Sequence, residues 1–273
     1  MTNIRLHFQQ ITLACAIALA FVSSTSYPSQ VGAQSAKPVN NIPSSGRVRF
    51  IPPDSSSQEK LDFSDVGRPR RREGGGSRGE CLVKDKLPLT ALVPTTSSGL
   101  TLANPTFWFY VPYTLTPEHS VEFVLKDGNN YVYKTNKFPG RETPPGVVSL
   151  RLPSTVSLEA NKNYDWYFLI YCDSQNKDRF VFVNGLVRRV ERPDLNTQLK
   201  SATSQERVTL YANQGIWYDA LASLAELHRA YPQNDKLNDD WAGLLQSVGL
   251  EKLASEPFVS CCSLDKKLKK FTN

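Results

Sequence analysis

Short runs rich in aromatic residues fill the middle of the chain and limit its fold more than any other feature. Two of them read TFWFYV at residues 106–111 and YDWYFLIYC at residues 164–172. Alternation with a period of two predicts strands that bury one face, and an Asp-Gly-Asn-Asn turn at residues 127–130 predicts a hairpin. Because these runs are short and separated by Pro- and Gly-bearing loops, we expect an antiparallel β-sandwich over residues 80–192.

A local pattern points to the kind of sandwich. Leu158 precedes Tyr164 by six residues, and Tyr164 opens an alternating run. This pattern resembles the tyrosine corner of immunoglobulin-like and fibronectin type III sandwiches, in which the Tyr hydroxyl bonds back to the preceding chain. Gly185 lies inside the run 180–190 and predicts either a tight turn or a bulge; the short flanking arms favour the bulge.

The hydrophobic period becomes helical over residues 193–250. Thr203 and Glu206 have the spacing of a capping box, which marks a helix start. A single tetratricopeptide-like unit cannot bury a core alone, so we expect these helices to dock rigidly on the sandwich with Trp217 buried. The residues at the spacings of that unit are Tyr211, Gly215, Trp217, Ala220, Leu224 and Pro232.

The N-terminus predicts the compartment. The apolar run at residues 11–22 has the length of a signal-peptide core and is short for a membrane span. We therefore predict a signal peptide over residues 1–33, with cleavage after Ala33 or, as alternatives, after Ser24 or Ser26. An uncleaved anchor is the other interpretation. The mature protein is expected to be periplasmic or associated with the cell surface, without a membrane span.

Two segments are expected to lack fixed structure. Residues 34–79 are rich in Pro, Ser, Gly and Arg and have almost no apolar periodicity, which predicts a disordered linker. Residues 251–273 end in a lysine-rich stretch and are expected to form a mobile basic tail. The net charge of +6 is spread along the chain and is too small to indicate a nucleic-acid partner.

Export into an oxidising compartment makes disulfides plausible. Cys81 and Cys172 bracket the strand-rich segment and are the predicted pair, with two buried thiols as the alternative. Cys261 and Cys262 are adjacent, and because a vicinal bridge would be strained their redox state stays open.

The motifs of common enzymes are missing from the sequence. It has no phosphate-binding loop, no Gly-x-Ser-x-Gly elbow and no zinc-ligand spacing. His119 and His228 are expected to be surface residues. Scattered acids near one strand end could bind calcium, although such loops usually bind nothing; they are Asp165, Asp173 and Asp178. We therefore expect no cofactor and no enzymatic activity.

Aromatic side chains are the remaining candidates for a site. In the run 106–111, Phe107 and Phe109 face one side, while Trp108 and Tyr110 face the other. One face belongs to the core. The second face is either covered by the helix of Trp217, Leu221 and Leu224 or forms an exposed platform that includes Trp108, Tyr110 and Tyr113.

Several stretches together resemble a cyanobacterial family of domains of unknown function, DUF928. The resemblance covers roughly residues 79–250 and is most distinctive in the run PTFWFYVP at residues 105–112. It implies a cyanobacterial exported protein and brings no catalytic residue or ligand. The other matching stretches are GEC at 79–81, LTALVP at 89–94, GLTL at 99–102 and GIWYDA at 215–220.

These observations favour a non-enzymatic role in protein interaction or scaffolding at the cell envelope, because sandwiches and tetratricopeptide-like helices present surfaces rather than reactive groups. The alternative is a module that binds envelope polysaccharide through exposed aromatics. A hydrolase whose carboxylate pair is brought together by two loops is a weaker third hypothesis.

Overall fold

The computed structural model describes residues 46–53, 70–76, 87–173, 176 and 178–261. The predicted signal peptide and Cys81 lie outside these residues, as do parts of the predicted linker and tail.

The described chain is mainly antiparallel β with a C-terminal helical part. Its strands form one ten-stranded sheet of order β6-β5-β9-β10-β1-β2-β4-β8, with β3 paired parallel to β10 and β7 paired to β5. The strands are β1 (Arg71–Gly76), β2 (Thr90–Ala91), β3 (Ser98–Thr101), β4 (Thr106–Val111), β5 (Ser120–Asp127), β6 (Asn130–Lys134), β7 (Phe138–Pro139), β8 (Gly146–Arg151), β9 (Asn163–Tyr171) and β10 (Phe180–Arg189).

This sheet curls until β4 faces β5 and β9 across a common core. The Phe109 ring stacks on Phe168 with centroids 4.0 Å apart, and the Phe107 ring lies 4.8 Å from that of Phe123. All four rings are buried. The two layers therefore belong to one continuous sheet rather than to the two separate sheets of a sandwich.

Strand β1 makes the sheet continuous, although it lies in the predicted linker. It pairs antiparallel with β10 on one side and, through Glu73 opposite Thr90, with β2 on the other. The Arg71 amide also donates to the Asn184 side chain at 2.9 Å. Expecting disorder for residues 71–76 was wrong, because partners distant in sequence supply the hydrogen bonds that local propensity does not predict.

Gly185 lies within an unbroken part of β10 and not at a bulge. Its neighbours pair in regular register with β9, where Gly185 stands opposite Trp166. A Cβ at this position would overlap the Ser97 carbonyl and the Trp166 ring. The glycine therefore reflects close packing on the buried face of the strand.

Four helices follow the sheet: α1 (Pro193–Ser201), α2 (Ser204–Asn213), α3 (Trp217–Ala230) and α4 (Asp235–Gln246). The capping box of Thr203 and Glu206 is present at the start of α2. Helix α3 packs on β3 and β4. Trp217 is fully buried, and its indole N–H donates to the Leu92 carbonyl at 2.9 Å, so the helical part is docked on the sheet.

Two further segments differ from the expected disorder. Residues 46–53, which we call the strap, lie along the helices: the Ile51 amide donates to the Ala212 carbonyl at 3.0 Å. At the other end, Val147 of β8 bonds to Pro257 and Val259 through backbone groups. The predicted tail is therefore packed over residues 251–261, because its apolar side chains find partners on the sheet and helices.

The backward hydrogen bond expected of the tyrosine pattern is present. The Glu159 amide donates to the Tyr164 hydroxyl oxygen at 3.0 Å, and Leu158 and Tyr164 are both buried. Over the described ranges, no helix has the length and apolar character needed to cross a membrane.

Candidate binding surface

The outer side of β5, β6, β9 and β10 carries a surface of aromatic and aliphatic side chains, which we call the open face. Strand β9 alternates along its length between buried residues on the core side and half-exposed residues on the outer side. Its outer residues stand opposite outer residues of β5 and β10 in the pairing register. The open face comprises the exposed Tyr131, the half-exposed Tyr167, Leu169, Phe180 and Phe182, and Tyr171, which lies in the same row but is only 8 % exposed.

Tyr131 is the most exposed of these side chains, at 63 %. It lies on the edge strand β6 between two ammonium groups: Lys126 Nζ is 5.1 Å and Lys134 Nζ 5.3 Å from the ring centroid. The face of an aromatic ring attracts cations. The two lysines therefore hold the ring in place and add positive charge to the edge of the open face.

The ring of Tyr171 also contacts a cation. Lys137 Nζ lies 3.3 Å from the centroid of that ring. The Tyr171 hydroxyl donates to Glu122 Oε2 at 2.7 Å, and Glu122 Oε1 pairs with Lys134 Nζ at 3.2 Å. Burial, together with the Glu122 carboxylate, raises the pKa of Tyr171, so this hydroxyl acts as a donor at neutral pH.

The aromatic row continues from β9 into β10. The rings of Tyr171 and Phe180 lie 5.7 Å apart, and those of Phe180 and Phe182 lie 6.0 Å apart. Arg71 of β1 stands over Phe182, with its guanidinium carbon 5.8 Å from the ring centroid. The open face is thus a band of rings with cationic groups along both sides.

The predicted platform on β4 is not exposed. Trp108 and Tyr110 are each only 4 % exposed. The Phe258 ring packs edge-on against Trp108 with centroids 5.7 Å apart. Burial and the nearby Glu256 raise the pKa of Tyr110. Placing an accessible platform at these residues was therefore wrong: the C-terminal segment, rather than α3 alone, covers this face.

Tyr113, the third residue of that platform, is half-buried. Its ring stacks on the His119 ring at 5.5 Å, and its buried hydroxyl has no hydrogen-bond partner. Burial lowers the pKa of His119. The His119 Nδ1 accepts from the Thr116 amide at 3.2 Å, so this histidine is part of a packed loop and not a free surface residue.

His228 also differs from its expected place on the surface. Its ring lies 5.3 Å from Phe258 and 5.8 Å from Trp241, and burial lowers its pKa. Phe258 therefore inserts among three rings, those of Trp108, His228 and Trp241. The indole N–H groups of both tryptophans are buried without a hydrogen-bond partner.

A small polar cleft of about 180 Å³ lies between α3 and the strands β3, β4 and β8. At its base, Asp219 Oδ2 accepts from Thr101 Oγ1 at 2.8 Å and from the Leu102 amide at 3.0 Å. Burial raises the pKa of Asp219. At the mouth, Arg151 pairs with Glu226 at 2.7 Å, and both side chains are exposed. The two carboxylates therefore have positioning partners, which suits a structural role better than a catalytic pair.

Within the described ranges, no three His, Cys, Asp or Glu side chains are grouped as a metal site requires. Asp165, Asp173 and Asp178 do not form the calcium site considered above. Cys172 is 8 % exposed at the end of β9. Because Cys81 lies outside the described residues, the pairing of Cys81 with Cys172 stays a prediction.

Sequence reasoning did not single out the residues of the open face. The period of two in β9 places Tyr167 on the face of the strand opposite to Trp166, and this pattern could have indicated an outer aromatic row. The same period in the run 180–189 puts Phe180 and Phe182 on one side. The cleft had a signal too, since Asp219 and Glu226 are seven residues apart on one side of a helix.

The family model described as Domain of Unknown Function (DUF928) matches residues 73–258. The match begins inside β1, includes all four helices and ends at Phe258, the residue that covers Trp108. None of the curated proteins matches the chain.

Proposed function

The chain belongs to the DUF928 family, and from that premise we propose that it is an exported, non-enzymatic interaction module of the cell envelope that binds a protein partner through the open face. The family match covers residues 73–258 but names no activity, so the proposal relies on the chemistry of this surface. Export to a periplasmic or surface location, and a cyanobacterial origin, are parts of the proposal that rest on sequence.

The open face is the observation that carries this proposal. Tyr167, Phe180 and Phe182 stay half-exposed although they lie on central strands of the sheet. Aromatic residues and Arg are enriched at protein interfaces, where rings supply contact area at low entropic cost. The cations over these rings favour a partner surface that carries carboxylates. Rings and ammonium groups bind rather than react, which supports a non-enzymatic role.

Two finer relationships are also proposed. The hydrogen bond from the Glu159 amide to Tyr164 supports a relationship to immunoglobulin-like sandwiches. The α2–α3 hairpin, with Ala220 and Leu224 fully buried, supports a tetratricopeptide-like unit. Its Gly215 has φ of +72°, a conformation that favours glycine, and Pro232 follows the end of α3.

Site-specific photo-crosslinking in the native cell tests the proposed interface. A photoreactive side chain at Tyr131 or Phe182 is expected to give a discrete crosslinked product. The matched control is the same side chain at Tyr231, which is 60 % exposed on the helical part. Charge reversal at Lys126 and Lys134 is expected to abolish the product. Equal crosslinking from the open face and from Tyr231 would overturn the proposal.

A second candidate function is binding of an acidic polysaccharide on the same face. The favouring observation is the exposed Tyr131 ring with the Lys126 ammonium group 5.1 Å from its centroid, because an accessible ring beside an ammonium group can bind a sugar ring and its carboxylate together. Affinity electrophoresis in polygalacturonate, with neutral dextran as the control, separates the two functions. Retardation by polygalacturonate that is lost in Lys126→Gln favours the polysaccharide; no retardation favours the protein partner.

A further inference from the structure

The strap lies in a groove between α2, α3 and α4 as an extended peptide. Its side chains alternate: Val48 and Phe50 are buried at 6 % and 8 % exposure, whereas Arg47, Arg49 and Ile51 point to solvent. This alternation means that the groove accepts an aliphatic side chain, Val48, and an aromatic one, Phe50, two residues apart.

Groups on the helices also bind the strap's backbone. The Val48 amide donates to Asp240 Oδ1, and the Phe50 amide donates to Ser247 Oγ, both at 3.1 Å. The Ile51 amide donates to the Ala212 carbonyl at the end of α2. Side-chain acceptors that hold backbone amides of an extended segment are typical of peptide recognition, because they fix its register independently of its side chains.

The groove is shaped for close approach. The Phe50 ring packs edge-on against Trp217 with centroids 5.0 Å apart. A Cβ at Gly243 would lie 2.8 Å from the Val48 carbonyl oxygen, and one at Gly215 would lie 2.7 Å from Pro53. Both glycines therefore make room for the strap's backbone and for its last proline.

Charge complements the fit. Arg47 pairs with Asp239 of α4 at 3.0 Å. Asp240 is almost fully buried and is also bound by Lys236 and Gln205, each at 3.1 Å. The first half of α4 thus offers carboxylates to a basic segment, and Asp240 is already oriented before any peptide arrives.

We propose that this groove is a recognition site for an extended segment of a partner protein with the pattern Arg-apolar-basic-aromatic, and that the strap occupies it until the partner displaces it. Two inserted side chains and three backbone hydrogen bonds hold the strap, and residues 54–70 separate it from β1. The partner must compete with a tethered segment at high effective concentration. This surface is distinct from the open face, so its test does not depend on the function proposed there.

The test uses a fluorescein-labelled peptide with the sequence of residues 46–53, GRVRFIPP. The substitution Phe50→Ala in the full chain weakens the binding of the strap to the groove. The peptide is therefore expected to bind this variant at least about tenfold more tightly than the wild-type chain. Ile51→Ala, at an exposed strap position, is the matched control and should behave as wild type. A peptide with serine in place of its Val and Phe should not bind.

The proposal would be overturned if Phe50→Ala bound GRVRFIPP and its serine variant equally well. It would also be overturned if GRVRFIPP bound the wild-type chain as tightly as it binds Phe50→Ala. So would assembly of Phe50→Ala chains into dimers that exclude the peptide, which would make a second copy the occupant. If Phe50→Ala fails to fold, Phe50→Leu replaces it. Hydrogen exchange in the wild-type chain gives a separate check: the Val48 and Phe50 amides are expected to exchange at least about tenfold faster than those of β9. Equal rates would show that the strap does not open separately.

Discussion

Strands β4 and β9 are both rich in aromatic residues and face each other across one core, yet their outer sides differ. On β4 the outer Trp108 is 4 % exposed beneath Phe258, whereas on β9 the outer Tyr167 remains half-exposed. Aromatic residues make up more than half of each strand. The difference therefore comes from what packs on each strand and not from the strand itself.

The comparison shows that an aromatic strand gives the location of a surface but not its accessibility. Residues 256–259, together with His228 of α3 and Trp241 of α4, cover the outer side of β4 and join it to the core, while β9 and β10 keep rings beside cations. The covered side also contains the titratable groups Asp219 and His228. Burial raises the pKa of Asp219 and lowers the pKa of His228, so it favours the uncharged form of each. Each of the following variants tests this division into a covered and an open side.

The largest effect is expected at Trp108. Trp108→Ala removes a buried ring on the covered side and should lower the free energy of unfolding by about 3–5 kcal/mol. Phe182→Ala, the matched change on the open face, should cost about 1 kcal/mol or less, since its ring is half-exposed. Urea unfolding measures both. Equal losses would show that the open face is as well packed as the covered one.

Phe258→Ala tests the cover itself. Losing this half-buried ring should cost about 2 kcal/mol and admit water to Trp108 and Trp241. A red shift of tryptophan emission at native conditions is the expected signal. Tyr231→Ala, which removes an exposed ring of the helical part, serves as the control and should leave emission unchanged. An unshifted spectrum in Phe258→Ala would contradict the assigned cover.

Asp219→Asn should change how stability depends on pH. Burial raises the pKa of Asp219 above its usual 3.8, so the native state binds this proton more tightly than the unfolded state. Its contribution is complete below pH 3.8 and is lost as pH rises through the folded pKa. Asn keeps an acceptor for Thr101 and Leu102 without a charge. The stability of the variant relative to wild type should therefore rise with pH, and a flat or falling difference would refute the assignment.

His228 should act in the opposite sense, with a smaller effect because it is only half-buried. Burial lowers its pKa below 6.5, so its contribution is present above pH 6.5 and is lost as pH falls through the folded pKa. His228→Gln should flatten this acid loss. The pKa of His119 is also lowered, and His119 is present in both the wild type and His228→Gln. The measured quantity is therefore the difference between the melting temperatures of these two proteins as a function of pH. If the pH dependence of stability were the same in both proteins, the assignment of a half-buried His228 to the covered side would be wrong.

The smallest effect on stability is expected on the open face. The double variant Lys126→Gln and Tyr131→Ser alters one half-exposed and one exposed side chain and should change the free energy of unfolding by no more than about 0.5 kcal/mol. Its crosslinking to a partner should nevertheless be lost. A stability loss comparable to that of Phe258→Ala would mean that the Tyr131 edge is structural.

Much of the fold could be predicted from local patterns. The runs at residues 106–111, 164–172 and 180–190 predicted β4, β9 and β10, and the capping box at Thr203 predicted the start of α2. These succeed because alternation and capping depend on neighbours in sequence. The backward bond to Tyr164 is likewise local, spanning five residues.

The remaining features depend on partners distant in sequence. The strand β1 is RREGGG, which has poor strand propensity, and it forms because β10 and β2 pair with it. The strap has only Val48 and Phe50 as apolar signals within a Pro- and Ser-rich stretch. No local pattern tells that Phe258 reaches Trp108. The accessibility of a candidate site was therefore the part that sequence could not supply.

The position of β1 in the middle of the sheet has a consequence for how the protein is made. The chain is synthesised from its N-terminus, yet Arg71 pairs with Asn184, and Val48 of the strap bonds to Asp240, 192 residues later. Strand β1 can pair early with β2, but its β10 partner follows only at residue 184, and the strap's partner on α4 follows only at residue 240. Contacts of such long separation slow folding, so the glycine-rich composition of β1, with little apolar surface to expose, suits a strand that is incorporated late.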